Sequence, residues 1–286
     1  MTKKVSAPVL PIAYFGEVGS FSHLAARRRF PKAELISCRT EEECFAALVA
    51  EKFSEIIVPI ENASAGMILN TVDQLILMAE NQNHALAIRE AIAMPVQLAL
   101  LARNPKAKIK TIYSHLAPFK HAKAWLKKHY AGVTLETVVS TSEAARLAYE
   151  QPGTAAIAGL HAADLYKLKV VRDDVGSEVA NQTTFFVVGQ ELKKSGKPTR
   201  TMLIFEAAHK PGSLFHVLQV LAKQNLNLTK IQSRPIPGKF SEYRFMIEFE
   251  GNPTQAAFQK ALKSLARCTH RCAVLGSYPV IQLKRT

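Results

Sequence analysis

The sequence predicts an α/β protein in two parts: a mainly parallel, doubly wound sheet, then a smaller ferredoxin-like unit. Three observations carry this. Short apolar runs of strand composition alternate with helical patterns between Ile12 and Gly189. A charged stretch holding Gly and Pro, Glu191–Arg200, then reads as a linker. Beyond it, residues 201–286 follow the order β-α-β-β-α-β.

The 286 residues are enough for two or three domains, and 48% hydrophobic with 21% charged residues is ordinary soluble composition. The longest apolar run, Ala91–Ala102, is broken by Pro95 and Gln97 and is too short to span a bilayer. Lys3 and Lys4 precede no apolar block, so no secretory signal is expected and a cytoplasmic location is the default. Four cysteines are too few for a disulfide scaffold. Cys38 and Cys44 read as packing residues. Cys268, His270 and Cys272 lack a second ligand pair, so no metal is expected there. The net charge of +14 is spread along the chain without aromatic-studded basic modules, which favours a small anionic ligand over nucleic acid.

Ile12–Phe15 reads as a strand, and Gly16-Glu17-Val18-Gly19-Ser20 turns it into a helix over Phe21–Phe30, with Ser20 as N-cap and His23 in the first turn. Free N–H groups at such a junction suit an anion. Thr40-Glu41-Glu42-Glu43 is a capping box opening a helix to about Glu51. Glu55–Ile60 is the next strand, ending in a small polar loop through Gly66, with a helix from about Met67 to Met78. Ala85–Ala102 reads as two extended pieces joined near Pro95, crossing into a second lobe of about residues 96–180. There Lys110–Tyr113, Val133–Val139 and Thr154–Ala158 read as strands, and Pro118–His129, Ala144–Tyr149 and Gly159–Tyr166 as helices. Ser140-Thr141-Ser142-Glu143 is a second capping box.

In Asn181-Gln182-Thr183-Thr184-Phe185 the hydroxyl of Thr183 stands between a polar amide and the apolar run Phe185–Gly189. The run is strand-like, so the polar residues belong at the mouth of a buried strand, where open α/β sheets gather ligands. The bland alternative is a Thr selected only for β-propensity. Gly16–Ser20, Asn62–Gly66, Ser114–His115, Ser140–Ser142 and Asn181–Thr184 all fall at expected strand ends. Each is compatible with plain turn chemistry; together they would line a cleft between two lobes. In the last unit, Pro211-Gly212 opens a helix with Leu214, Val217, Leu218 and Leu221 on one face, between the strands Thr201–Ala207 and Leu226–Ile236. Glu242–Phe249, a helix over Pro253–Arg267 and a final strand, Ala273–Tyr278, complete it.

These residues resemble a monofunctional prephenate dehydratase along essentially the whole chain, through Gly16–His23, Val58-Pro59-Ile60-Glu61-Asn62, Ser114-His115 and Asn181-Gln182-Thr183. Residues 201–286 resemble an ACT regulatory domain through Pro211-Gly212-Ser213-Leu214 and Gln232-Ser233-Arg234-Pro235. No helical chorismate mutase segment precedes Ile12, so a bifunctional form is not indicated. The resemblance implies a two-lobed catalytic domain like a periplasmic binding protein over 1–190 and conversion of prephenate to phenylpyruvate without cofactor or metal. It gives Thr183 the catalytic role, with Asn62, Ser64, Ser114, His115, Asn181, Thr184 and Phe185 around the substrate. It also implies phenylalanine binding near Gly212, Ser213, Leu214, Ser233 and Arg234, in a homodimer or homotetramer.

The chain departs from that family pattern at Thr184, where Arg is usual, and at Ala63, Leu116-Ala117-Pro118 and Gln232. Neutral Thr cannot replace the paired hydrogen bonds of Arg to a carboxylate. Arg89, Lys120 and His115 are therefore the candidate substrate cations. The departures keep two alternatives open: arogenate as substrate, and a non-catalytic amino-acid sensor on the same scaffold.

Overall fold

The computed structural model describes residues 10–80, 86–176, 181–190, 197–251, 253 and 255–285. Most of the expected linker, 191–196, lies outside the described residues. The first lobe runs β1 (Ile12–Phe15), α1 (Phe21–Arg29), β2 (Leu35–Cys38), α2 (Glu41–Val49), β3 (Glu55–Asn62), β4 (Gly66–Met67), α3 (Leu69–Glu80) and β5 (Leu86–Pro95). The second lobe follows as β6 (Leu98–Ala102), β7 (Thr111–Ser114), α4 (Leu116–His121), α5 (Lys123–His129), β8 (Thr134–Thr137), α6 (Thr141–Glu150), β9 (Thr154–Gly159), α7 (Ala162–Leu165) and β10 (Lys169–Arg172). Strand β11 (Gln182–Gln190) returns to the first lobe. The C-terminal unit is β12 (Arg200–Glu206), α8 (Ser213–Lys223), β13 (Leu228–Pro235), β14 (Tyr243–Glu250), α9 (Ala256–Cys268) and β15 (Arg271–Tyr278), and β16 (Val280–Gln282) ends the order.

Local chemistry starts the helices where the sequence places the caps. Ser20 and Thr40 accept from the N–H groups of His23 and Glu43, at 3.2 and 3.0 Å. Ser140 accepts from Glu143 N–H at 2.9 Å, and the Glu143 carboxylate accepts in turn from Val139 N–H. Helix α4 begins two residues before the expected Pro118, because His115 serves as its N-cap and Pro118 is tolerated in a first turn. A break at Ala122 separates it from α5.

The first sheet has the order β16-β5-β11-β3-β1-β2, with β4 paired to β3, and the second β10-β6-β9-β7-β8. The expectation of mainly parallel sheets needs correction. Strand β11 runs antiparallel to both neighbours, β3 and β5, and β6 is antiparallel to β9 and β10. The reason is the return path. Strands β3 and β5 end, and β11 begins, on the side facing the second lobe. The two crossings lie side by side, Val96 N–H donating to the Asn181 carbonyl at 2.9 Å.

The C-terminal sheet, β13-β14-β12-β15, has the split βαββαβ order. Leu203, Phe205, Ile247 and Phe249 on one face pack with Val217, Leu221, Phe258 and Leu265 of its helices. Met202, Ile204, Met246 and Leu275 on the other join the first-lobe core of Val58, Leu75, Ile88 and Phe186. The expected unit 201–286 is corrected at its end. Beyond Tyr278 the chain leaves this sheet, and β16 pairs parallel with β5 of the first lobe.

This junction needs Gly276. A Cβ there would meet the Ile88 carbonyl oxygen at 2.3 Å and its nitrogen at 2.9 Å, backbone atoms that cannot swing away. Gly276→Ala is expected to lower the unfolding free energy by about 1–3 kcal/mol, as overpacking does; urea denaturation of the two proteins checks it.

Candidate active site

Residues 185–188 of β11 are at most 1% exposed, so their packing fixes the register of the strand. In that register Thr183 stands opposite Asn62 of β3 and Met94 of β5. The Asn62 carboxamide nitrogen donates to Thr183 Oγ1 at 2.9 Å. The direction of that bond is set by the other end of the amide, since Asn62 Oδ1 accepts from the N–H groups of Ser64 and Ala65 at 3.0 and 3.1 Å. Thr183 Oγ1 is thus an acceptor from Asn62, and among the described residues its own O–H meets no acceptor.

The second lobe reaches the same ground. Ser64 Oγ lies 3.4 Å from His121 Nδ1, at the end of α4. Sequence reasoning missed His121. Its signal was a His in the first helical turns beyond a polar strand end, obscured by starting the helix too late. The Gly16–Ser20 turn is held from the second lobe as well. His161 Nε2 donates to the Gly19 carbonyl at 2.8 Å, Tyr166 Oη donates to the Val18 carbonyl at 2.9 Å, and Ser140 Oγ reaches Glu17 at 3.5 Å. Gly19 N–H in turn donates to His23 Nδ1 at 3.0 Å.

Other expected site residues fall elsewhere. Ser114 is fully buried and donates its hydroxyl to the Ile157 carbonyl at 2.7 Å, a bond inside the second sheet. The Phe185 ring is core, packed with Tyr14, Ile57 and Met94. The reading of both side chains as ligand contacts is corrected: inward-facing strand positions are claimed by the core. Thr184 lies between Glu61 and Ala93. Arg89 pairs with Glu55 at 2.6 Å, at the opposite end of β3 from Asn62, roughly 23 Å away at strand rise. It is not a cleft cation. Lys120 and His115 are exposed on the second lobe, and His115 Nδ1 accepts from Ala117 N–H. Among the described residues, Asn181 Oδ1 is buried without a hydrogen-bond partner.

In the C-terminal unit, a recess of about 450 Å³ is lined by Lys210, Ser213, Leu214, Glu242, Tyr243 and Phe245, among others. Gly212, at φ +83°, is the left-handed N-cap that opens α8 beside it. Ser233 and Arg234 do not line this recess, and they part company. Successive strand residues point to opposite faces; Ser233 is exposed, whereas Arg234 Nε donates to Asp73 of α3 at 2.7 Å. Among the described residues no three His, Cys, Asp or Glu side chains gather as a metal-binding group. Burial pushes the Cys272 thiol up to about 11. No helix among the described residues is long and apolar enough to cross a membrane.

Two α/β lobes joined by a pair of crossings, with a hydroxyl–amide pair beside them and a ferredoxin-like unit on one flank, define a two-lobed α/β class with an appended βαββαβ unit. The profile of the prephenate dehydratase family matches residues 12–193, and that of the ACT domain matches residues 201–267. The chain belongs to the prephenate dehydratase family. The prephenate dehydratase of Lactococcus lactis subsp. cremoris is 30% identical over 281 residues, covering 96% of this chain and 99% of the relative. Arogenate dehydratase 2 of Petunia hybrida is 31% identical over 290 residues, covering 94% and 72%. The crystal structure of the Arthrobacter aurescens prephenate dehydratase in complex with L-Phe superposes with a TM-score of 0.83 at 26% identity, covering 94% of this chain and 90% of that one.

The histidines that hold the Gly16–Ser20 turn give the fold a pH signature. Burial lowers the pKa of His161, against the raising effect of its backbone bonds, and burial with the nearby Arg27 charge lowers that of His23. The unfolded chain therefore takes up protons first as pH falls below about 6.5. The stability from these neutral rings is complete above that value and is lost as pH falls toward the folded pKa values. Denaturation at pH 7.5 and 5 should show stability declining on acidification, with a shallower decline in His161→Gln.

Proposed function

We propose that this chain converts prephenate to phenylpyruvate, with Thr183 as the hydroxyl that assists the departing group. The reaction breaks the bond from the ring to its carboxylate, which leaves as carbon dioxide. The electron pair moves into the ring, the ring carbon–oxygen bond breaks, and the leaving hydroxide takes one proton to become water. Aromatisation supplies much of the driving force. What remains for the protein is to place a donor where negative charge grows on the departing oxygen. The observation that carries this reading is the polarity of the Asn62–Thr183 bond. A hydroxyl that accepts from a fixed amide is both oriented and polarised as a donor.

Asn62 keeps a second amide hydrogen beyond the one given to Thr183 and is assigned, with Asn181, Ser64 and His121, to holding the substrate. Arogenate, with an amine in place of the side-chain keto group, is the second reading, favoured by the Petunia relative; competition between the two substrates separates them. The recess beside Gly212 is assigned to phenylalanine as feedback effector, in a cytoplasmic homodimer or homotetramer.

Thr183→Val should lower kcat for phenylpyruvate release by about 10²–10³-fold, the worth of one positioned donor, while Thr183→Ser keeps most of it. An unchanged kcat in the valine variant would defeat the role of Thr183. Added L-phenylalanine should lower turnover of the wild-type chain. Gly212→Ala, which strains a left-handed cap, should weaken that response, read from inhibition curves of the two proteins.

A further inference from the structure

The junction between the C-terminal unit and the first lobe is laced by ion pairs, and they end in different places. Arg234 meets Asp73, and Arg244 meets Glu80; both acids lie on helix α3. Lys230 of β13 instead reaches a strand. Its Nζ lies 2.9 Å from Glu61 Oε2, the residue directly before Asn62 on β3. The same ammonium lies 3.3 Å from Glu248 Oε1, a carboxylate with 4% side-chain exposure. Glu248 is itself anchored by Thr229 Oγ1 at 2.6 Å and Tyr278 Oη at 2.8 Å, with Arg200 at 3.3 Å. Although burial pushes its pKa upward, the Thr229 bond and the Lys230 charge hold Glu248 below the usual carboxylate range.

We infer that Lys230 is a positioning residue for the reaction centre: by holding Glu61 it fixes the end of β3 that presents Asn62 to Thr183, and so ties regulatory strand β13 to the catalytic hydroxyl. Successive residues of a strand face opposite ways, so Glu61 turns toward the C-terminal unit while Asn62 turns toward its partner on β11. The ammonium sits between two carboxylates. Without it, Glu61 faces an anchored like charge, and the end of β3, held there only by the short β4 and the first residues of β11, is the part able to shift. Strand β13 pairs with β14, whose Tyr243 and Phe245 line the recess beside Gly212, so a ligand that shifts β14 moves Lys230 with it. The catalytic part of this inference rests on the dehydratase reading; the mechanical part does not.

The test uses the full chain with prephenate, in parallel with hydrogen exchange over residues 58–67. Lys230→Met and Glu61→Gln are each expected to lower kcat by about 2- to 30-fold, the range of coupling through packed networks. The fall in kcat should exceed any rise in KM, since Asn62 also holds the substrate. Exchange over 58–67 should quicken, the double variant should be no worse than either single one, and Lys230→Arg should recover most of the loss. Glu80→Gln, which breaks the neighbouring Arg244 contact, should leave kcat and exchange unchanged. Wild-type kcat and exchange in both Lys230→Met and Glu61→Gln overturn the proposal. So does an equal loss in Glu80→Gln, which would make Lys230 a generic docking contact. If the wild-type chain releases no phenylpyruvate, the dehydratase reading fails by itself, and the exchange measurements alone decide whether Lys230 holds the strand end.

Discussion

The pairing of Thr183 with Asn62 across β11 and β3 is the constraint on which the site depends. It is enforced from below rather than at the site. Phe185, Phe186, Val187 and Val188 are buried on both faces of the sheet, and a slip of one residue would exchange the two faces of every one of them. Such a slip would also turn Thr183 away from Asn62. A register irregularity between Thr184 and Phe185 lies at the boundary between the packed run and the polar mouth. The core thus specifies the position of the Thr183 hydroxyl, itself buried opposite Met94, and the amide at position 62 specifies which way that hydroxyl can donate.

The same economy governs the C-terminal sheet. One face is closed by its own helices, the other by the first lobe, with the Phe186 and Tyr278 rings meeting edge to face at 5.3 Å. Apolar contact supplies the adhesion of this junction. The half-buried ion pairs across it add little net stability, because desolvation offsets much of their attraction. What they supply is registration: a charge meeting its partner admits few alternative placements. A regulatory unit docked by a greasy face alone could slide. One pinned at Asp73, Glu80 and Glu61 cannot slide without breaking three ion pairs at once.

Much of this was legible in the sequence, for identifiable reasons. Strand and helix alternation, the Thr40 and Ser140 capping boxes and the polar mouth before Phe185 are local patterns, and local patterns survive folding. Which strand lies beside which is not local. The antiparallel insertion of β11 follows from the chain having to return across the hinge, and the pairing of β16 with β5 joins residues far apart in sequence. Side chains were misread where a motif was taken as a unit. Ser114 and His115 are adjacent, yet one is spent in the core and the other caps a helix. Ser233 and Arg234 are adjacent, yet strand alternation sends them to opposite faces. Arg89 carried the right charge but sits at the wrong end of its strand. His121 and Lys230 belong to no small polar cluster, and only the fold brings them to Ser64 and Glu61.

The neutral Thr184 also acquires a physical setting. The groups gathered at the hinge are the hydroxyl of Thr183, the unspent amide hydrogen of Asn62, the amide of Asn181 and the Ser64–His121 pair. None of the amides or hydroxyls carries a formal charge. Neutral donors leave no unpaired charge behind when they stand empty, but a carboxylate held by them alone bears its own desolvation cost. Attraction at long range is then the work of the whole molecule, whose +14 net charge draws anions toward its surface at low ionic strength. In this arrangement charge governs the approach and geometry governs the chemistry. On the dehydratase reading proposed above, the step that expels hydroxide would depend on the placement of Asn62 and Thr183, and capture of an anionic substrate would weaken as salt screens the field.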